Sequence, residues 1–422
     1  MNQQNLLLPV KSPALLQKIR SELQTKAPQG EFWLYYTASL FFTFGFSVFF
    51  FLFNLYLLGF GFTERSLGIV GSCMAVGSIL GTIPVGMLAQ RFGLRSVLTG
   101  GLLLAVVFSV LRACIFWPAA QYVLAVFTGL TLCTWAVCLS PAIAALTTEQ
   151  RRPFAFSLMF ASGIGTAGLG GFVAGRFPSS LQALPLPARL TATQASGITL
   201  LLACGVVSLA LIPVARLTLR FAVPHARLPR FNHPFLLRFL PAMFVWSLVT
   251  GAFPPFANVY FVHHLGLPLR TMGSVYSLSQ FAQFLAILLA PMLFRRAGLA
   301  FGVMLTQCAT AAALVCLARI HGVTQAAWIY CGYMAVQCMN EPGIYSLLME
   351  RTPSEEHNAA SASTFFISSI AQAFASAAVG AAIVRFGYSP VLAVLASLAL
   401  LAALMFLRLA RETRRVRSSS QS

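Results

Sequence analysis

Aspartate is absent from this chain, and nine glutamates supply all of its acidic side chains. Charged residues of both signs amount to only 9%, far below the roughly one quarter that a water-facing protein carries. No long polar stretch separates the apolar runs, so a string of soluble domains is excluded. The nine cysteines contain no C-x-x-C pair and no even, regular spacing. A zinc site and a disulfide framework therefore drop out, and the cysteines read as small hydrophobes inside apolar runs. No phosphate-cradling G-x-x-x-x-G-K loop, no dinucleotide fingerprint and no His/Glu cluster of metal-ligand spacing occurs. The chain is accordingly not expected to be an enzyme, to hydrolyse ATP, or to hold a cofactor. A net charge of +19 would suit a nucleic-acid binder, but the basic residues stand singly or in pairs between apolar runs. They form no stripe and have no interleaved aromatic platform, so nucleic acid is not an expected partner.

What the chain has instead is hydrophobicity, 58% of all residues. A membrane-spanning helix needs about 20 mostly apolar residues. Runs that qualify fall near 33–60, 66–90, 96–117, 121–147, 154–175, 195–215, 235–262, 271–293, 299–319, 325–349, 361–384 and 388–408. The expected fold is an all-α membrane protein of twelve spanning helices, embedded in lipid. Assigning successive loops to alternate sides leaves only Arg65, Arg112, Arg176, Arg189, Arg270, Arg319 and Arg385 on one side. All other lysines and arginines share the side of both termini, which the positive-inside rule places in the cytoplasm of a cell whose inner (plasma) membrane holds the protein. Residues 1–32 contain no short apolar core before a cleavage site, so no signal peptide is read there. Ser12-Pro13 suits a helix start, and Leu15, Ile19 and Leu23 share one face, so a short amphipathic helix on the cytoplasmic leaflet is one expectation and an unstructured tail the other.

The sequence also repeats itself. Asn54-Leu55-Tyr56 in the first run recurs as Asn258-Val259-Tyr260 in the seventh. Gly68, Arg91 and Gly93 recur as Gly273, Arg296 and Gly298; Pro141 and Glu149 as Pro342 and Glu350; Arg176-Phe177 as Arg385-Phe386. The spacing stays between 201 and 209 residues throughout. Two pseudo-symmetric six-helix halves follow, 33–215 and 235–410, joined by a cytoplasmic linker at 216–234 and ended by a tail at 411–422. Two parallel repeats packed face to face form a cleft, and rocking one against the other opens that cleft to each side in turn.

Between the second and third runs stands Gly86-Met-Leu-Ala-Gln90-Arg91-Phe-Gly93-Leu-Arg95. This loop resembles that of the major facilitator superfamily: Gly, three residues, Asp, Arg, any residue, Gly, then basic residues. Phe294-Arg295-Arg296-Ala297-Gly298 looks like a degenerate echo of it in the second half. Gly93 permits the tight turn, and Arg91 and Arg95 would pair with carboxylates or helix C-termini to latch one conformation. The family's Asp is Gln90 here, which can hydrogen-bond but not form a salt bridge. The resemblance implies the major facilitator fold, with the first, fourth, seventh and tenth helices lining the cavity. The family's exporter motif in the fifth helix is only half present, as Gly170-Gly171 without the Gly-Pro. Residues 163, 167, 171 and 175 there are all small, a stripe that lets helices approach, and Ala373, Ala377 and Ala381 make the corresponding stripe in the eleventh run.

One carboxylate, Glu341, sits well inside an apolar run. A charge at mid-helix costs about 2.5–3.5 kcal/mol on insertion scales, so such residues face a cavity or a partner. With Gln337 and Asn340 it forms a polar stripe before Pro342, suited to carrying a coupling proton or holding a cationic substrate group. Asn54, Tyr56, Asn258 and Tyr260 stand symmetrically toward the outer ends and suit an outer gate or interhelical ties. Trp135 and Ser140, Trp246, Gln280, Gln283 and Gln372 are further candidates for the cavity. Pro254-Pro255 should break the seventh helix. His263 and His264 read as interfacial rather than as metal ligands, and Arg112 as snorkelling to the headgroups. The function expected is secondary transport of a small molecule by alternating access. Export of an amphipathic compound in exchange for protons, by a monomer, is the first expectation. Uptake of a small polar metabolite is the alternative, and a transporter-like membrane sensor is an alternative of another class.

Overall fold

A computed structural model of the chain describes residues 30–148, 151–183, 190–218, 234–320, 322–352 and 357–419. The expected amphipathic helix at the N-terminus and most of the linker at 216–234 lie outside the described residues. Twelve long helices account for nearly all that is described, and no strand occurs among those residues. They are α1 Phe32–Leu58, α2 Glu64–Phe92, α3 Leu94–Cys114, α4 Pro118–Leu146 and α5 Arg152–Gln182. Then follow α6 Ala192–Ala215 and α7 Phe235–His264, α8 Leu269–Ala297, α9 Leu299–Arg319, α10 Val323–Arg351, α11 His357–Phe386 and α12 Tyr388–Ser419. Eleven of them are long and apolar enough to cross a membrane. The exception is α10, whose Gln337, Asn340 and Glu341 lower its hydropathy; it nevertheless packs between α8 and α9 as a full member of the bundle. Trp33, Trp117 and Trp328, all near helix ends, are exposed, the placement expected of aromatic residues at a membrane interface.

Local chemistry sets the helix boundaries. Thr63 caps α2 by accepting from the Ser66 N–H, and Thr191 with Gln194 forms a reciprocal capping box at the start of α6, each satisfying amides the helix leaves open. Gly93 and Gly298 take nearly identical positive-φ conformations, φ 82° and 80°, between α2 and α3 and between α8 and α9. A side chain would be strained there, so the short turn of the Gln90–Arg95 loop and its echo rest on these glycines. Pro254 and Pro255 interrupt α7. The helix ends at Ala252, tightens into a 3₁₀ turn at Pro254–Phe256, and widens into a π-helical turn at Tyr260–His264, because proline removes backbone donors and clashes with the preceding turn.

Helix packing repeats as the sequence does. In the first half α1 packs on α5 and α6, α2 on α4, and α3 on α4 and α6. In the second half α7 packs on α11 and α12, α8 on α10, and α9 on α10 and α12. The halves meet through two long crossings, α2 with α11 and α5 with α8. Since the helix number is even, α1 begins and α12 ends at the same end of the bundle, termed proximal here; the other end is distal.

The crossings are built from glycine. A Cβ at Gly68 would fall 2.4 Å from the Ser376 carbonyl oxygen and 3.1 Å from the Gly380 Cα. A Cβ at Gly273 would fall 2.7 Å from the Gly171 carbonyl oxygen and 2.8 Å from the Gly175 Cα. Close backbone contact of this kind supplies the dispersion energy that holds helices together where water is absent. The small-residue stripe of α5 thus serves α8, through Gly171 and Gly175, while Gly163 and Gly165 face open space. On α11 the contacting register is Ser376 and Gly380, one residue removed from the expected Ala377 and Ala381. The α2 backbone comes so close that only the hydrogen on a glycine Cα fits opposite it.

Candidate functional site: a cavity wall and a distal clasp

Side chains from α7, α10 and α11 enclose a cavity of about 210 Å³. Met243, Trp246, Ser247 and Thr250 come from α7, Glu341, Ile344 and Tyr345 from α10, and Phe365, Ser368, Ser369 and Gln372 from α11. The crossings described above lie in the distal half of the bundle, and the cavity lies on their proximal side. Glu341 is exposed on its wall and makes no hydrogen bond or ion pair among the described residues. The Ser247 and Ser368 hydroxyls are buried and have no hydrogen-bond partner. A buried hydroxyl without a partner costs about 1–3 kcal/mol, a cost that a ligand or water in the cavity would remove. Tyr345 and Phe365 expose 39% and 49% of their surface, which gives the carboxylate an aromatic surround.

Of the residues singled out from the sequence, Glu341, Trp246 and Gln372 come together on this wall. Asn340 does not join them. It is fully buried, and its Nδ2 donates to the Val303 carbonyl at 3.0 Å and to the Thr306 Oγ1 at 2.5 Å, tying α10 to α9. One residue along a helix turns the side chain by about 100°, so neighbours in sequence serve different surfaces. Gln337 is buried as well and does not line the cavity. Trp135 packs inside the first half, stacked on Phe42 at 4.3 Å and Tyr35 at 5.3 Å between ring centroids. Gln283 donates to the Ser279 carbonyl of its own helix at 3.2 Å. Gln280 lies against Gly168 at the α5/α8 crossing. The cavity serines Ser247, Ser368 and Ser369 escaped the sequence reading, because a serine in an apolar run bonds its own helix as readily as it faces a cavity.

At the distal end the repeat becomes geometry. The Asn54 Nδ2 donates to the Pro255 carbonyl at 2.8 Å, and the Asn258 Nδ2 donates to the Phe51 carbonyl at 2.9 Å. Each asparagine thus bonds the carbonyl three residues before the other, a reciprocal clasp between the halves. Tyr56 and Tyr260 have a different task within each half. Their hydroxyls donate to the Ala113 carbonyl at 2.9 Å and the Leu317 carbonyl at 3.1 Å, fastening α1 to α3 and α7 to α9 across the same separation of 57 residues.

Arg112 overturns the snorkelling expectation. It is 1% exposed, with its guanidinium 4.3 Å from the Phe53 ring centroid and its Nε 3.4 Å from the Gln121 Oε1. The apolar stem that snorkelling would lay along lipid is instead enclosed by α1, α2 and α4, where the face of Phe53 attracts the cation. In the loop between α2 and α3, Arg91 and Arg95 are exposed and form no ion pair among the described residues. Gln90 is half-buried, and open space surrounds Gly86.

Comparison with known proteins agrees with this architecture. No curated protein sequence matches the chain. Among solved structures, the nucleoside transporter NupG superposes with a TM-score of 0.71 at 12% identity, over 90% of this chain and 99% of that one. A D-xylose-proton symporter gives 0.69 at 15% identity over 89% and 96%. A bacterial homolog of the human lysosomal transporter Spinster, inward-facing and unoccupied, gives 0.71 at 11% identity over 90% and 97%. Identities this low establish the fold alone. The family model of the Major Facilitator Superfamily matches residues 35–376, most of both halves, and on that match the chain belongs to the Major Facilitator Superfamily of secondary transporters.

Proposed function

We propose that this transporter works by alternating access and exports a small amphipathic compound, carrying a cationic group, in exchange for protons. The observation that carries the proposal is Glu341, a carboxylate on a cavity wall with no ion pair among the described residues and with Trp246, Tyr345 and Phe365 around it. A carboxylate binds a proton or a cationic group but not both at full strength. Competition at that one site therefore couples the two fluxes: substrate displaces the proton on one side, and a proton displaces substrate on the other. The aromatic rings supply apolar area and, through their faces, additional attraction for a cation. The basic bias of the proximal loops supports a cytoplasmic proximal end. With the Asn54/Asn258 clasp joined distally, the cavity then stands on the cytoplasmic side of the closure. Gln90, Arg91, Gly93 and Arg95 would form the opposing cytoplasmic latch, engaged when the clasp releases.

Uptake of a small polar metabolite is the second reading, favoured by the hydrogen-bonding groups of Ser247, Thr250, Ser368, Ser369 and Gln372 on the same wall. A thermal-shift panel separates the two, since a ligand that binds the folded state raises its apparent stability. Lipophilic cations should stabilise the purified protein and sugars should not; the reverse result makes it an uptake permease. Proton coupling is tested in proteoliposomes with an imposed pH gradient. Glu341→Gln should abolish gradient-driven transport while leaving the fold intact, and unimpaired coupling in that variant removes Glu341 from the mechanism.

A further inference from the structure

The two crossings that join the halves are related by the internal repeat, but they are not chemically equal. At α2/α11 the tie beside the glycines is neutral: the Ser72 hydroxyl donates to the Ala373 carbonyl. At α5/α8 the repeat places Ser277 opposite Gly168, 3.5 Å from where its Cβ would stand, and a second polar contact is added beyond the glycines. Arg176 on α5 donates from its Nη2 to the Ser274 Oγ on α8 at 2.9 Å. Its guanidinium carbon lies 3.6 Å from the centroid of the Phe172 ring, one turn earlier on α5. Its Nη1 is buried and has no hydrogen-bond partner. In the register that matches Gly175 with Gly380, Ala381 stands on the other crossing, and Arg385, the counterpart of Arg176 in the sequence repeat, comes one turn later on α11 and is exposed.

We propose that Arg176 and Ser274 form a charge-assisted latch across the distal α5/α8 seam and set how readily the distal side opens. The inference rests on the alternating-access reading. Closed, the guanidinium holds one bond across the seam and the face of Phe172, while its Nη1 lacks any acceptor. When the seam parts, Ser274 is lost and water reaches the whole guanidinium. The closed state therefore depends on the Ser274 hydroxyl more than a neutral tie would, because a hydrogen bond to a charged group is worth roughly twice a neutral one. At the α2/α11 seam the Glu64 carbonyl backs onto Gly380, but no charged side chain hydrogen-bonds across from one helix to the other among the described residues. The geometry gives the α5/α8 seam a positioning pair that biases the transport cycle without touching substrate.

The two exposed native cysteines suit the test: Cys114 at the distal end of α3 and Cys316 near the distal end of α9, one in each half. With the remaining cysteines replaced and transport verified in that parent, spin labels at these two sites report the distal separation by double electron–electron resonance. Ser274→Ala should shift the ratio of the long-distance to the short-distance population toward the long by roughly tenfold. Arg176→Met keeps the length and the packing on Phe172 but removes the donor. In that background Ser274→Ala should have no further effect, which a merely structural serine would not produce. An equal shift from Ser274→Ala in both backgrounds, or none in either while the parent still shows both distances, overturns the latch and leaves alternating access standing. A single unchanging distance in the parent and every variant, with and without substrate, overturns both.

Discussion

A methyl group added at Gly273 should hold the distal side apart. The Gly273 Cα is pressed into α5 so closely that an alanine Cβ would stand 2.7 Å from the Gly171 carbonyl oxygen and 2.8 Å from the Gly175 Cα. Both atoms are backbone, so neither can rotate away. Relief requires the helices to separate by several tenths of an ångström, which also loosens the dispersion contacts of the whole crossing. Overpacking of this kind costs typically about 1–3 kcal/mol, and on the alternating-access proposal, in which the crossing parts as the distal side opens, all of it falls on the distal-closed state. Between about fivefold and a hundredfold and more of the closed population should be lost. The Cys114–Cys316 label pair reads that population, and initial transport rates in proteoliposomes should fall with it as the return step becomes limiting. Gly68→Ala, its repeat-related partner, should act in the same direction through α11, where the contact is tighter still. Gly163→Ala on α5 is the control, since nothing stands within 4 Å of the Cβ it would add, and it should be silent. Unchanged distances and rates in Gly273→Ala, or equal effects of Gly273→Ala and Gly163→Ala, would refute the assignment of the glycine crossings as the distal closure.

The reciprocal clasp should behave additively: Asn54→Ala and Asn258→Ala each remove one hydrogen bond across the halves, worth about 0.5–1.5 kcal/mol. Each should raise distal-side labelling, and the double variant by roughly the product of the two; unchanged labelling in the double variant would remove the clasp from the gate. Arg112 and Gln121 make opposite predictions for thermal unfolding in detergent. The Gln121 Nε2 donates to the Arg112 carbonyl at 2.7 Å and the Ile115 carbonyl at 2.5 Å, closing the end of α3, so Gln121→Ala should destabilise by about 1–3 kcal/mol through orphaned carbonyls. Arg112→Met keeps packing against Phe53 and drops a buried charge that has only neutral groups around it, so it should be neutral or stabilising. Loss of stability in Arg112→Met beyond that of Gln121→Ala would show that the charge itself holds the first half together.

How much could be read in advance differed by residue, and for physical reasons. The spans were legible because lipid admits only backbones whose hydrogen bonds are satisfied within the segment, so each crossing must be a long apolar helix. The one helix that falls short on hydropathy, α10, does so through the polar residues that mark it as interesting. The turn at Gly93 was legible because positive φ has a residue signature. The break in α7 was legible because two adjacent prolines remove two donors. Which way a polar side chain faces was not. In a lipid-embedded bundle the lipid-facing surface is as apolar as the core, so the amphipathic pattern that orients a helix in water is erased. For want of that pattern the sequence sets Gln337, Asn340 and Trp135 beside Glu341 and Trp246 and points Arg112 to the headgroups, whereas packing buries all four inside the bundle.

The sequence by itself determined the number of helices, the division into two related halves, the family, and the presence of a single carboxylate deep in an apolar run. These are properties of composition and spacing, set by the bilayer and by an internal repeat that survives in linear order. Only the tertiary structure decided that Asn340 ties α10 to α9 while its neighbour Glu341 stands on a cavity wall, and that Asn54 and Asn258 bond each other's helices while Tyr56 and Tyr260 bond within their own halves. It alone paired Arg176 with Ser274. Each of these depends on the rotation of one helix against the next, which is settled by which backbones can approach most closely. That approach is a matter of glycines on two helices meeting, and no single stretch of chain contains both.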